Sequence, residues 1–366
     1  MESLKQRWAD LDVRCLSLLT PAAAFLAWEV VNVISAFQKR YLLSANGLNF
    51  NYICFISSWQ QVFTLLCLSP FVFLRLTSAS WDQFRRNAFG LSFLAILWVL
   101  TQLCLSAAEA FLGKALIELV KSCIPVPTLL ISLVLERDRR GSPITYSAGL
   151  VASVVVTVIG ACLAVYDDSQ SSAIGYFLVI VATCMTACFF VAAGILLKTS
   201  AGGLNPINLT WYVACVSLPL LLISFSISSE PKTVFSSLSS KPEAYGWMTL
   251  SSLLYLLSSL TTFCLIILTS PLATAVSDCL KYVLMMLIAV GATHSPYVTV
   301  NFIGLGLLIP GVICYTYFMF LRRFETPREL PSLEAGMAVS MKGKSESKAL
   351  LPDQAGQPSN VCCVVQ

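Results

Sequence analysis

Long apolar runs alternate with short polar breaks along most of the chain. Ten runs reach the length of about 20 mostly apolar residues that a helix needs to cross the hydrocarbon core of a bilayer. They are 21–43, 51–74, 88–108, 112–135, 145–166, 174–197, 208–228, 246–268, 272–293 and 298–321. None shows the period-two alternation of a barrel strand, so the elements predicted are helices. The breaks carry helix-stopping chemistry, as in Arg137-Asp138-Arg139-Arg140-Gly141, Asp167-Asp168, Gly202-Gly203 and the Ser-rich connector from Ser228 to Ser240. The pattern ends near residue 324. Residues 324–366 are rich in Pro, Ser, Gly and Lys and predict a disordered tail.

The positive residues flanking these runs orient them. With the N-terminus (1–20) cytosolic, thirteen Lys and Arg fall on the cytosolic side, among them Arg85, Arg86, Arg137, Arg139, Arg140 and Arg322. The other side holds Lys39, Arg40, Lys232 and Lys241, with Lys114 near its edge. This is a positive-inside bias, and an even number of spans then puts the tail in the cytosol as well.

Composition agrees with lipid as the solvent. The chain is 57% hydrophobic and 11% charged, with a mean hydropathy of +0.79, whereas soluble domains carry roughly a quarter charged residues. Fourteen cysteines are dispersed without a CxxC pair, so neither a zinc ribbon nor a redox motif is indicated. A single histidine, His294, leaves no multi-histidine metal site. The short N-terminus carries both signs of charge, unlike a transit peptide, and the first span itself is expected to direct insertion.

Two of the runs share a pattern. Ala115-Leu-Ile-Glu118-Leu-Val-Lys121 lies in the fourth and Ala275-Val-Ser-Asp278-Cys-Leu-Lys281 in the ninth. Dividing the protein between spans five and six makes these helices equivalent. An odd number of spans per half forces opposite topologies. The fold expected is therefore an all-α membrane protein, ten transmembrane helices in two inverted five-helix repeats (21–166 and 172–322), the arrangement in which many carriers build a midplane site. A charge at the bilayer centre costs about 2.5–3.5 kcal/mol. An acid at i−3 lowers that cost by local pairing. Each pair is therefore either a self-neutralised bridge that serves packing or part of a wet cavity. Two lysines facing one cavity would receive an anion, and phosphate esters suit ammonium point charges.

At these same residues the chain resembles the triose-phosphate and nucleotide-sugar transporters of the drug/metabolite transporter superfamily. Lys121-Ser-Cys-Ile-Pro125-Val-Pro127-Thr128 is similar to the family's fourth span, and Ser270-Pro271-Leu272 before Lys281 to its ninth. Gln38-Lys39-Arg40, Ser57-Ser-Trp-Gln60-Gln61 and Asn208-Leu-Thr-Trp-Tyr212 resemble further family positions, so that the likeness covers 21–322. It implies that Lys121 and Lys281, each paired by spacing with Glu118 or Asp278, bind substrate phosphate, with Gln60 and Tyr212 as weaker candidates. It also implies exchange of one phosphorylated solute for another, without a cofactor. Plastid phosphate translocators have arginine after the ninth-span lysine; here Tyr282 follows. That tyrosine either stacks on a base or sugar or faces lipid or a neighbouring helix.

Other features are weaker. Glu29 and Asn32 either line the cavity or place Glu29 near the interface. Gln102 and Glu109 are expected near headgroups or the cavity mouth. Gly304, Gly306 and Gly311 favour close helix packing, including a homodimer contact. In the tail, Glu346, Leu350 and Leu351 have acidic-dileucine spacing. Cys363-Val-Val-Gln366 fits a C-a-a-X prenylation pattern with Cys362 as a second lipid site, in competition with coincidence, since a multi-span protein needs no lipid anchor.

The reading is an antiporter of nucleotide sugars or related phosphorylated solutes, working by alternating access in the Golgi or another endomembrane. Its partners are substrate, counter-substrate and membrane lipid, with no nucleic acid. The alternatives are a sugar-phosphate/phosphate exchanger and a carrier of an unphosphorylated organic solute, in which Glu118 and Asp278 would be the working groups. No P-loop supports pumping, and no catalytic constellation in a span supports an enzyme.

Overall fold

The computed structural model describes residues 23–39, 41–42, 48, 50, 52–74, 81–109, 111–112, 117, 120–135, 146–164, 172–199, 204–228, 230–281 and 299–325. Among these the regular structure is entirely helical. In chain order the helices are α1 (23–39), α2 (Ile53–Phe73), α3 (Trp81–Ala108), α4 (Pro125–Leu135), α5 (Ala148–Ala164) and α6 (Ala173–Thr199). There follow α7 (Pro206–Ile227), α8 (Pro231–Ser240), α9 (Glu243–Leu268), α10 (271–281) and α11 (Thr299–Glu325). One unit, Met1–Phe318, holds almost all of this; the described part of the second, Met319–Gln366, is the helical end of α11. Glu118, Tyr282, His294, Glu346, Leu350, Leu351, Cys362 and Cys363 lie outside the described residues.

Six of the described helices are long and apolar enough to cross a membrane: α2, α3, α6, α7, α9 and α11. α4 and α5 are shorter apolar helices. The outer surface is apolar: Phe89 is 89% exposed and Val134 77%, with Phe73, Ile227 and Ile313 similarly bare. Large apolar side chains exposed in this number suit lipid rather than water around them. The chain is a multi-pass membrane protein.

Two expectations are corrected. The fourth run, 112–135, is not one continuous helix. Residues 120–121 are helical, Ser122 to Ile124 form a turn, and α4 starts at Pro125. Pro125 and Pro127 have no N–H, so the carbonyls of Lys121 and Cys123 cannot receive i+4 bonds. They accept instead from Ile124 N (3.0 Å) and Val126 N (3.0 Å), the tighter i+3 pattern. The Ser-rich connector is also not a loop, because Pro231–Ser240 is helical with Val234 and Leu238, one turn apart, turned inward. Glu230 ties it to α2, its two carboxylate oxygens accepting from Cys54 N (3.1 Å) and Phe55 N (2.9 Å).

Packing follows a regular scheme. α1 runs antiparallel to α9: Trp28 Nε1 donates to Thr262 Oγ1 (2.8 Å), Ser258 Oγ to Asn32 Oδ1 (2.8 Å), and Gln38 Nε2 to Trp247 O (2.7 Å). α3 runs antiparallel to α6, with Gly90 against Leu196 and Gly175 against Leu112. α2 packs on α7, where Trp211 Nε1 reaches Ser69 Oγ (3.3 Å) and Phe55 meets Phe225. α5 packs on α11 through glycine: a Cβ on Gly160 would stand 2.4 Å from Leu308 N, and one on Gly311 would stand 2.8 Å from Thr157 N. Gly304 and Gly311 thus serve packing within the chain. Gly306 faces open space.

Candidate functional site

Two local devices place the lysines. Lys121 ends a helical turn immediately before the proline-enforced break. Lys281 is carried by α10, whose start is specified by Ser270-Pro271. Ser270 Oγ accepts from Ala273 N (3.1 Å) and its carbonyl from Thr274 N (3.1 Å), while proline suits the first helical position. The two segments touch beside the lysines: the Cys279 thiol donates to the Ser122 carbonyl at 3.1 Å.

Lys121, Lys281 and Asp278 all line one cavity of about 220 Å³. Lys281 Nζ donates to Asp278 Oδ1 at 2.7 Å, with the two side chains 16% and 10% exposed. The rest of the wall is mixed. α9 supplies Ser258, Ser259 and Thr262; α3 supplies Trp98, Thr101 and Gln102; α6 supplies Thr186, Phe189 and Phe190. Tyr255 of α9 and Gln61 of α2 also line it, joined by a 3.0 Å bond from Gln61 Nε2 to the Tyr255 hydroxyl. The Trp98 and Tyr255 rings lie 5.7 Å apart, and those of Phe189 and Phe263 lie 6.0 Å apart. Ammonium groups, hydroxyls, amides and aromatic rings therefore converge on one space. No described residue of α5 or α11 contributes to this lining.

Not every sequence candidate arrives there. Gln60 donates to Ser251 Oγ (2.9 Å) in the α2–α9 contact, and its neighbour Gln61 takes the wall position. Tyr212 is buried in the core between α3, α6 and α7, against Phe84. Gln102, expected near headgroups or the mouth, lines the cavity. The unanticipated wall of α9 had a visible signal. Ser251, Tyr255, Ser258, Ser259 and Thr262 repeat at helical spacing within an apolar run, a polar stripe on one face.

Among the described residues there is no cluster of three or more His, Cys, Asp or Glu able to hold a metal ion. A helical membrane protein with a charged, hydroxyl-rich interior cavity is the architecture of a solute carrier. The chain belongs to the Triose-phosphate Transporter family, whose sequence pattern matches residues 19–316. It is 22% identical over 294 residues to a probable sugar phosphate/phosphate translocator of Arabidopsis thaliana, spanning 79% of this chain and 92% of that one. It is 24% identical over 319 residues to GDP-fucose transporter 1 of Dictyostelium discoideum, spanning 83% and 82%. A protein crystal structure covers 85% of this chain and 99% of its own with a TM-score of 0.58 at 12% identity, a likeness of fold alone. The protein is a solute transporter.

Proposed function

We propose that this carrier exchanges nucleotide sugars or related phosphorylated solutes across a Golgi or other endomembrane by alternating access. Its ten spans would form two inverted five-helix repeats with both termini cytosolic. The observation that carries the reading is that Lys121 and Lys281, from equivalent spans, border a single cavity. Two ammonium groups beside one cavity attract an anionic guest, and a phosphate that meets Lys281 displaces Asp278 as its partner. Occupancy is then tied to helix position. The packing scheme supports the repeat. Exchanging span n with n+5 turns the α1–α9 contact into the α6–α3 contact and maps α2–α7 and α5–α11 onto themselves.

Within that class, the wall favours a nucleotide-linked solute over a bare sugar phosphate. Trp98, Tyr255 and Phe189 offer faces for a planar base beside the charged groups, and stacking on an aromatic side chain contributes about 1–3 kcal/mol per base. The sugar phosphate/phosphate translocators and the GDP-fucose transporter among its relatives keep both solute types in the test. The purified protein in liposomes loaded with nucleoside monophosphates or inorganic phosphate is offered labelled nucleotide sugars, triose phosphates and unphosphorylated sugars. Uptake of nucleotide sugars that depends on internal monophosphate is expected. Uptake of a neutral solute that no phosphate ester inhibits would sink the reading and favour a carrier in which Asp278 is the working group.

A further inference from the structure

The arrangement above leaves one buried acid unused. Glu29, on α1, is 4% exposed, and neither carboxylate oxygen has a hydrogen-bond partner among the described residues. It lies three residues from the centre of the first apolar run, about 4.5 Å along a helix axis. The nearest donors on its own helix are directed elsewhere: Trp28 Nε1 donates to Thr262 and Asn32 Nδ2 to the Trp28 carbonyl. The packed helix α9 turns Ser258 and Thr262, both cavity-lining hydroxyls, toward α1. From α10, Lys281, Asp278 and the Cys279 thiol lie within electrostatic reach of the carboxyl group. Lys281 thus interacts electrostatically with two acids, and Asp278 already holds it at 2.7 Å.

A carboxylate ion without donors is costly to keep out of water, whereas the neutral acid is far less so. We propose that Glu29 is a proton-binding site of the carrier, loaded in the conformation seen here and discharged when helix movement opens its surroundings to water. The idea rests on the alternating-access reading. An anion at Lys281 adds negative charge beside Glu29 and holds the proton there more firmly. By reciprocity the proton favours anion occupancy to the same degree. The proton comes from water in a conformation that exposes the carboxyl group, sits on the carboxyl oxygen during passage, and returns to water when the group is next exposed. Exchange then requires neutral Glu29 and slows as protons become scarce.

Two measurements test this. The first is self-exchange of GDP-fucose, labelled outside and unlabelled inside phosphatidylcholine liposomes, across about pH 6 to 9; the linked diphosphate keeps its charge over that range. Wild-type exchange should fall with rising pH, approaching about tenfold per unit, the slope of a single required proton. Glu29→Gln should flatten the profile. The second is infrared difference spectroscopy of the purified protein near neutral pH. A protonated-carboxyl carbonyl band, sensitive to heavy water, should be present in wild type, shifted in Glu29→Asp and missing in Glu29→Gln. A pH-independent wild-type rate, or a Glu29→Gln profile parallel to wild type, overturns the proposal, and so does a spectrum without the band. If GDP-fucose fails to exchange at any pH, the nucleotide-sugar reading suffers, while the band still decides whether Glu29 holds a proton.

Discussion

Lys281 Nζ stands 2.7 Å from Asp278 Oδ1, one turn back along α10, and both side chains border the cavity that Lys121 also reaches. Asp278 thus serves Lys281 as a counter-ion. Removing only the acid leaves a cation largely out of water, a change that costs about 3 kcal/mol in buried pairs. Asp278→Asn should therefore lower the unfolding temperature of the detergent-purified protein. Added phosphorylated solute should recover more stability in the variant than in wild type, since the anion takes the vacant place. Asp278→Asn with Lys281→Gln should regain stability but not solute binding. Equal recovery by solute in wild type and the single variant would count against Lys281 as an anion site.

The lysines should each contribute on the scale of a charge-assisted hydrogen bond, about 1.5–3 kcal/mol. Lys121→Gln and Lys281→Gln are expected to reduce exchange at sub-saturating solute by about 10- to 150-fold. The measurement is initial uptake into counter-loaded liposomes. Wild-type rates in both variants would remove the proposed roles.

The helical runs were legible because lipid imposes long apolar stretches whose polar interruptions are costly. The two lysines stood out for the same reason. What the pattern concealed was rotation and depth. Gln60 and Gln61 are adjacent, and about 100° around a helix separates a residue in the α2–α9 contact from one on the cavity wall; no single sequence decides which is which. Glu29 was ambiguous in the sequence for the same reason; the structure buries it to 4% exposure. The break after Lys121 was written in Pro125 and Pro127, yet an apolar run reads as continuous to a hydropathy window. α8 escaped notice because its two inward residues, Val234 and Leu238, are diluted by six serines between Ser228 and Ser240 that resemble a loop.

The α5–α11 seam depends on missing side chains. A Cβ on Gly160 would press on the backbone of Leu308 and the Gly304 carbonyl at 2.4–2.9 Å. Backbone cannot yield as a side-chain tip can. Gly160→Ala should therefore destabilise by about 1–3 kcal/mol, the usual cost of overpacking, whereas Gly306→Ala, with nothing within 4 Å, should not. Thermal unfolding in detergent separates the two, and equal effects would argue against the seam.

Glu230 acts as a side-chain cap for a helix it does not belong to. Its carboxylate accepts the Cys54 and Phe55 amides at the start of α2, where free N–H groups and the helix dipole favour a negative charge. Two further bonds hold α8 in place, between Tyr52 and Ser237 hydroxyls (2.6 Å) and from Lys241 Nζ to the Leu48 carbonyl (2.6 Å). Glu230→Ala should cost about 1 kcal/mol, the usual loss of a cap. Amide hydrogen exchange at residues 54 and 55 should quicken selectively. Unchanged protection there would show that α2 does not depend on the cap.

Selectivity should reside in the aromatic wall rather than in the lysines. Trp98 and Tyr255 face the cavity as a tilted pair, with the Tyr255 hydroxyl fixed by Gln61. A base stacked on this surface would lose about 1–3 kcal/mol when the indole is removed, roughly 5- to 150-fold in affinity. A triose phosphate, with no planar group, would lose little. Trp98→Ala is thus expected to weaken competition by nucleotide sugars and nucleoside monophosphates far more than competition by triose phosphate or inorganic phosphate. Lys281→Gln should weaken all of them. The contrast separates charge recognition from base recognition within one cavity. A parallel loss for both solute classes in Trp98→Ala would assign the tryptophan to packing and leave a sugar phosphate as the better-supported substrate.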